Sequence, residues 1–236
     1  METTEGTLLG GRLRYRQPQD GYRTGIEPVL LAASVPARPG DRVVEAGTGA
    51  GAGLLCLAAR VGGIRGTGVE IDPEMAELAR VNCAANGFAG LTIRTGDVMS
   101  FALPEADHVL ANPPWFDERS TASPVARRRR AKQEAPGGLE QWIAAMAGAL
   151  VPDGSLTLIV PTPLVGRAIA ACETVGLELA RHHALLPKRG REAKLNVLQA
   201  RRGAARLVTT CTVLHEECGA FTPAVEAVLR EGAALG

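Results

Sequence analysis

Residues Val43-Val-Glu-Ala-Gly-Thr-Gly-Ala-Gly51 carry the strongest fold signal in the chain. The paired valines favour a short strand, and three glycines then alternate with small residues. Residues 52–61 follow as an apolar run of helical length. A glycine-rich turn between a strand and a helix lets the backbone approach a ligand closely at the positive end of the helix dipole. This stretch therefore predicts an α/β fold with a ligand at the turn.

Strands and helices are predicted to alternate along the chain. The predicted strands lie at 42–46, 67–71, 91–95, 107–111, 155–160, 177–186 and 195–200, with a further candidate at 208–214. This alternation predicts one doubly wound α/β domain over residues 1–236, with a mostly parallel, seven-stranded, Rossmann-like sheet that binds ligands at the carboxyl ends of its strands. Residues 1–40 form an extension before the core, and residues 117–137, which lack periodicity, are expected to be a mobile basic loop.

The composition fits one globular domain. The 236 residues are 46% hydrophobic and 22% charged, so a substantial core can be buried and a disordered chain is excluded. No apolar run approaches the ~18–20 residues of a membrane helix, and the first residues lack the apolar stretch of a signal peptide. The five cysteines form no CxxC pair, and the four histidines have no metal-ligand spacing. We therefore expect a cytoplasmic protein with reduced thiols, no membrane contact and no metal.

Three acidic residues stand at the ends of successive predicted strands. Glu45 lies two residues before the glycines, Glu70 ends the strand in 68-GVEID-72, and Asp97 follows the next strand in Gly96-Asp97-Val98. A carboxylate at such a strand end can accept hydrogen bonds from both hydroxyls of a ribose. The acids and glycines together resemble the motifs of class I S-adenosylmethionine (SAM) methyltransferases.

This resemblance implies SAM as the cofactor and assigns roles to the acids. Glu45 would help to order the methionine end, Glu70 would bind the ribose, and Asp97 beside Val98 would accept from the adenine amino group. The glycines of the turn would allow close approach of the cofactor to the backbone; they are Gly47, Gly49 and Gly51.

The sequence Asn112-Pro113-Pro114-Trp115 follows the fourth predicted strand and resembles the NPP-aromatic signature of methyltransferases that act on planar nitrogens. The side-chain oxygen of Asn112 and the carbonyl of Pro113 could accept the two N–H groups of an exocyclic amine and direct its lone pair at the methyl group. Two prolines would hold these acceptors in place, and Trp115 could stack on a flipped-out base. These four residues are the catalytic candidates, and Asn112 is also expected to contact the cofactor.

Two segments outside the core motifs restrict the resemblance to one family of methyltransferases. The segments 21-GYRTGIEPVLLAA-33 and 187-PKRGREAKLNVLQARRG-203 are similar to bacterial adenine-N6 methyltransferases that modify a valine tRNA. The resemblance implies an enzyme that methylates adenine N6 in RNA, most simply a tRNA, with residues 1–40 extending over the SAM site. It makes Thr24 and Gly25 candidate cofactor contacts. Thr24 also precedes Glu27 at capping-box spacing, so a helix cap is an equal alternative.

Other functions remain open at this point. A glutamine-N5 protein methyltransferase, a DNA adenine methyltransferase and a ribosomal guanine-N2 methyltransferase share the NPP chemistry, although they commonly carry longer chains or additional domains. An RNA-binding module of the same fold would need no turnover. Because 47-GTGAGA-52 also satisfies GxGxxA, a dinucleotide oxidoreductase fits the turn, but it explains neither the NPPW sequence nor Asp97.

The positive charge is concentrated, although the formal net charge is only +1. Residues 12–23, 119–132 and 181–206 together hold 18 of the 26 Lys and Arg residues and 2 of the 25 acids. If the fold gathers these three segments around the site, they form a surface for the phosphates of RNA. The alternative is three separately solvated segments.

Overall fold

The computed structural model describes residues 1–20, 24–114, 138–203 and 206–235. The strands are β1 Thr3–Leu8, β2 Leu13–Pro18, β3 Arg42–Ala46, β4 Arg65–Glu70, β5 Leu91–Thr95, β6 Ala106–Ala111, β7 Leu150–Pro161, β8 Glu178–Lys188, β9 Leu195–Arg201 and β10 Val208–His215. The helices are α1 Glu27–Ser34, α2 Ala52–Val61, α3 Pro73–Ala85, α4 Gly138–Gly148, α5 Val165–Thr174 and α6 Pro223–Glu226, which continues into a π-helical turn at Ala227–Glu231. Short 3₁₀ turns occupy Leu9–Gly11 and Thr162–Leu164.

Eight strands form the central sheet in the order β10-β8-β9-β7-β6-β3-β4-β5. All neighbours pair in parallel except β9, which is antiparallel to β7 and β8. The doubly wound, mostly parallel α/β fold is therefore confirmed, but the predicted number of seven strands is wrong. The additional strand is β10, which pairs with β8 at the sheet edge. Of its eight residues only Leu214 is buried, so its sequence lacks the apolar run of a strand that is buried on both faces.

Helices cover both faces of the sheet. Successive residues of a strand point to opposite faces, and in β6 Leu110 joins the core beneath α1, α2 and α3, while Val109 and Ala111 join the core beneath α4 and α5. The same division holds in β7, where Ile159 and Leu158 belong to different cores. Burial on both faces explains why these strands are almost continuously apolar.

The ends of the parallel strands bring the sequence motifs together. Ala46, the last residue of β3, pairs with Val69 of β4 on one side and Ala111 of β6 on the other. The glycine turn, Glu70 and the NPP sequence therefore start side by side at one edge of the sheet, which we call the carboxyl edge. The opposite edge, where β3, β4 and β6 begin, is the amino edge.

The N-terminal strands form a separate two-stranded sheet that is attached to α3 by two asparagines. Asn82 is 1% exposed and both accepts from the amide (2.8 Å) and donates to the carbonyl (2.9 Å) of Arg16 in β2. Asn86, one helical turn later, makes the same pair of bonds with Arg14 (2.9 and 2.8 Å). Asn82 also donates to the carbonyl of Ala50 in the glycine turn (2.9 Å), which links the extension to the carboxyl edge.

Candidate active site

The glycine turn has a backbone conformation that requires its glycines. Gly47, Gly49 and Gly51 have φ angles of +68°, +56° and +88°, which residues other than glycine rarely adopt. Space is limiting as well, since a Cβ at Gly47 would lie 2.7 Å from the indole ring of Trp142 in α4. The Gly47 amide donates to the carbonyl of Val69 (2.9 Å), which fixes the turn against β4. A fixed, side-chain-free turn at the N-terminus of α2 fits a ligand that approaches the backbone closely.

Glu45 supports this turn from below. Its carboxylate is 5% exposed and accepts hydrogen bonds from the Thr48 hydroxyl and from the Leu54 amide (3.0 Å) at the start of α2. A Cβ at Gly53 would collide with the same carboxylate, so Gly53 provides the space for it. The pKa of Glu45 is raised to about 7, mainly by burial and to a smaller extent by the nearby Glu70 carboxylate, although both hydrogen bonds oppose the shift. These contacts make Glu45 a residue that positions the turn.

Glu70 lies at the rim of the turn. One of its carboxylate oxygens accepts from the Gly49 amide and the other from the Asp72 amide, both at 2.9 Å. Each oxygen retains a lone-pair site, so the carboxylate can still accept two hydroxyl donors. Partial burial raises the pKa of Glu70. Asp72 itself caps α3 by accepting from the Glu74 amide (2.9 Å).

Asp97 and Val98 lie beside Glu70. The Gly96 amide donates to the Glu70 carbonyl (2.9 Å), which joins the segment after β5 to the end of β4. The carboxylate of Asp97 accepts from the Met99 amide (3.0 Å), and the side chain of Val98 is 3% exposed. The three predicted acids therefore occupy three successive strand ends at the carboxyl edge.

The NPP sequence follows directly from β6. Ala111 pairs with Ala46 of β3 and with Leu158 of β7, so Asn112 starts between the glycine turn and the end of β7. Pro113 is buried, whereas Asn112 and Pro114 are half-buried. Among the residues that the structure describes, none hydrogen-bonds the Asn112 side chain. Trp115 and the predicted mobile loop 117–137 lie outside the described residues.

Thr24 does not have the capping role that its spacing suggested. Helix α1 begins at Glu27 with Ile26 at the N-cap and no side-chain cap. The Thr24 hydroxyl instead lies 2.7 Å from the Tyr15 hydroxyl, and its amide donates to the Gln17 side chain (3.1 Å), so it joins the extension to the chain before α1. A Cβ at Gly25 would collide with the carboxylate of Glu27. Contact of Thr24 and Gly25 with a cofactor stays a prediction.

Two residues beside the turn were missed by sequence reasoning. Asn82 hydrogen-bonds the turn at Ala50, and Trp142 packs on Gly47. In the sequence, Asn82 is one polar residue of a helix, and Trp142 fits the apolar periodicity of α4. Neither position carries a local motif, so the sequence offered no signal for these contacts.

The basic segments do not all converge. In 181–206, the turn after β8 lies at the carboxyl edge, because Leu195 pairs with Pro161 at the end of β7. Arg201 pairs with Ser155 of β7, which in turn pairs with His108 near the start of β6, so the end of this segment lies at the amino edge. Arg12 donates to the Glu231 carbonyl, and Arg16 forms an ion pair with Glu5 at 2.5 Å. Segment 181–206 as a whole therefore does not surround the site, while residues 21–23 and 119–132 lie outside the described residues.

Two further searches were restricted to the described ranges. Within residues 1–20, 24–114, 138–203 and 206–235, no three His, Cys, Asp or Glu side chains gather closely enough to hold a metal ion. In the same ranges, no helix combines the length and hydropathy required to cross a bilayer.

The known proteins to which this chain is similar are methyltransferases. Residues 43–131 match a family model described as a methyltransferase domain. The chain is 35% identical to a tRNA1(Val) (adenine(37)-N6)-methyltransferase of Porphyromonas gingivalis over 59% of this chain and 58% of that enzyme, so the match spans less than two thirds of the relative. It is 28% identical to an enzyme of the same name from Aeromonas hydrophila over 85% of both chains.

Among solved structures, a predicted O-methyltransferase from Agrobacterium tumefaciens aligns with a TM-score of 0.70 and 29% identity over 89% of this chain and 98% of that chain. A TehB-like SAM-dependent methyltransferase from Corynebacterium glutamicum aligns with a TM-score of 0.53 and 19% identity over 78% and 90% of the two chains, which shows the common fold. With the strand order and the glycine turn, these findings show that the chain has the fold of these methyltransferases, and they indicate S-adenosylmethionine as its cofactor.

Proposed function

We propose that the protein transfers a methyl group from SAM to the exocyclic N6 amine of an adenine in tRNA. The observation that carries this proposal is the NPP sequence at the end of β6, next to the glycine turn, with an Asn112 amide that has no partner among the described residues. The names of the Porphyromonas and Aeromonas relatives support adenine 37 of a valine tRNA as the target.

The residues of the carboxyl edge fit SAM. The positive-φ glycines keep the backbone of the turn free of side chains, and the Glu70 carboxylate has two acceptor positions available for ribose hydroxyls. Asp97, beside the buried Val98, is the acceptor that the resemblance assigns to the adenine amino group. When bound, SAM supplies an electrophilic methyl group on a sulfonium.

Asn112 and Pro113 would then act on the target amine. The lone pair of an exocyclic amine on adenine is delocalised into the ring, so the amine is a poor nucleophile in its planar form. Two acceptors, the Asn112 amide oxygen and the Pro113 carbonyl, would favour a pyramidal nitrogen and stabilise the positive charge that develops on it. No strong base is needed before methyl transfer, since the proton is lost from a cationic nitrogen. Trp115, by its resemblance to the aromatic residue of the motif, would stack on the base.

Nucleoside mass spectrometry tests the proposal. The protein is incubated with isotopically labelled SAM in separate reactions, each of which contains one substrate: unmodified tRNA, ribosomal RNA or DNA. We expect labelled N6-methyladenosine from tRNA alone. Label in N2-methylguanosine or in a 2′-O-methylated nucleoside would contradict the assignment. Label only in a glutamine of an added protein substrate would favour the glutamine-N5 alternative.

A further inference from the structure

The turn between β8 and β9 is a strongly basic feature of the carboxyl edge. It contains four cations and one acid, Lys188, Arg189, Arg191, Lys194 and Glu192. Arg189, Arg191 and Lys194 are exposed, and no carboxylate in the described part of the chain lies within ion-pair distance of them. Lys188 is half-buried and donates to the Glu217 carbonyl (2.8 Å). The turn therefore presents to solvent three positively charged side chains that form no ion pair with a described carboxylate.

The register of the sheet places this turn near the catalytic candidates. β9 is the second strand from β6, with only β7 between them. Strands are spaced about 4.8 Å apart, so the start of β9 lies roughly 10 Å across the sheet from Asn112. Along the strands, Leu195 pairs with Pro161, three residues beyond the Leu158 that faces Ala111. The turn therefore lies at the carboxyl edge, two strands away from the NPP sequence and slightly beyond it along the strand direction. The acids Glu216 and Glu217 follow β10, on the side of β8 away from β6.

The turn is also held in place. Arg191 donates its amide to the Lys188 carbonyl (3.1 Å) across Gly190, whose φ is +71°. Thr162, just after β7, donates its amide to the Lys194 carbonyl (3.0 Å) and its hydroxyl to the Ala193 carbonyl (2.5 Å). A rigid support of this kind lowers the entropy lost when charged side chains engage a ligand.

We propose that Arg189, Arg191 and Lys194 bind the phosphates of the RNA strand that flanks the target nucleotide. The inference rests on the proposed function, because a base held at Asn112 remains joined to neighbouring phosphates, and these must cross the carboxyl edge. Arginine and lysine side chains bind phosphates through charge-assisted hydrogen bonds, which position the strand without selecting its sequence. This turn is thus a second contact with RNA, separate from the base pocket.

The amino edge offers a matched control. Arg65 begins β4, Arg201 ends β9 and Arg206 precedes β10; all three are exposed. Substituting them changes the net charge as much as substituting the three cations of the turn. A general attraction to RNA would respond equally to both sets, whereas a site at the turn would respond to one.

The test measures binding of a fluorescently labelled, unmodified valine tRNA transcript at several salt concentrations. It compares the wild-type protein with Arg189→Ala/Arg191→Ala/Lys194→Ala and with Arg65→Ala/Arg201→Ala/Arg206→Ala. For three phosphate contacts, the turn variant should lower the slope of log K against log salt by about 2–3, with binding at least about tenfold weaker at low salt. The amino-edge variant should retain the wild-type slope. All three proteins should bind SAM equally, which shows that they are folded.

Equal losses in both variants, an unchanged slope in the turn variant, or no salt-dependent binding by the wild-type protein would each overturn the inference. A different result would show that the proposed function is wrong while the inference about the turn holds. In that case the turn variant still loses its salt slope, but the wild-type protein forms no N6-methyladenosine on the bound transcript.

Discussion

At the scale of single residues, two carboxylates hold the glycine turn in different ways. Glu45 is buried beneath it and binds Thr48 and the start of α2, whereas Glu70 lies at its rim and binds Gly49. A buried carboxylate is costly when ionised, because it leaves water for a medium of low dielectric constant. Glu45 therefore shapes the site at a cost to stability, and that cost depends on pH.

Glu45→Gln should remove this dependence. The pKa of Glu45 is about 7 in the folded protein, against an ordinary value of 4.5. Between these values the folded state binds more protons than the unfolded state, so rising pH destabilises the wild-type protein, by about 3 kcal/mol in total. A Gln oxygen can accept the same two hydrogen bonds without charge. Urea unfolding at pH 5 and pH 8 should show the stability advantage of the variant growing with pH. A difference that does not change with pH would contradict the assignment.

Glu70→Ala tests the rim carboxylate. If Glu70 binds the ribose, its loss removes charge-assisted bonds worth about 1.5–3 kcal/mol, which corresponds to SAM binding weakened about 10–150-fold. Calorimetry on the folded variant measures this directly. Glu77→Ala is the control, since Glu77 is a carboxylate on the exposed side of α3 that pairs with Arg80 (3.0 Å). Unchanged SAM affinity in Glu70→Ala would remove Glu70 from the cofactor site.

At the scale of elements, the N-terminal sheet is attached to the α/β core through α3. Asn82 and Asn86 occupy one face of the helix and replace a neighbouring strand for β2 by bonding the backbone of alternate residues. Only Asn82 continues to the glycine turn, through Ala50. The Asn82 side chain therefore couples the extension to the turn by hydrogen bonds, beside the packing of β2 on α2.

Asn82→Ala should weaken both folding and cofactor binding. It leaves the buried Ala50 carbonyl and the part-buried amide and carbonyl of Arg16 without partners, at about 2–4 kcal/mol. We expect SAM binding to fall about tenfold as the turn loosens. Asn86→Ala is the matched control, because it breaks the same kind of bonds to β2 without touching the turn. Unfolding curves and SAM titrations of both variants check this. Equal effects on SAM affinity would show that the Ala50 bond has no role.

Sequence reasoning predicted the core elements well, since their signals are local. The strand at Arg42–Ala46, the glycine turn after it and the helix at Ala52–Val61 each follow from a few neighbouring residues. β10 was predicted only as a further candidate at 208–214, because an edge strand needs no continuous apolar run. The bonds of Asn82 and the contact of Trp142 with Gly47 join residues far apart in the sequence, and no local pattern encodes them.

At the scale of the whole molecule, the parallel sheet gathers distant motifs at one edge. The glycine turn, Glu70, Asp97 and the NPP sequence were predicted to meet because the carboxyl ends of parallel strands are adjacent. The positions of the basic residues could not be predicted from the sequence in the same way. The segment 181–206 contains a strand reversal, so Arg189 and Arg201 lie at opposite edges. Only the register of β7, β8 and β9 separates them.

The central claim is that Asn112 promotes methyl transfer to adenine N6. Its predicted partner is the target amine, which SAM alone does not supply, so Asn112→Ala should leave SAM affinity within a few fold of the wild-type value. Loss of one preorganised polar group commonly lowers kcat by about 10²–10³. The decisive measurement is the rate of labelled N6-methyladenosine formation on a valine tRNA transcript, for the wild-type protein and Asn112→Ala at saturating SAM. We predict a loss of that size; near-normal turnover, or no N6-methyladenosine from the wild-type protein, would contradict the account.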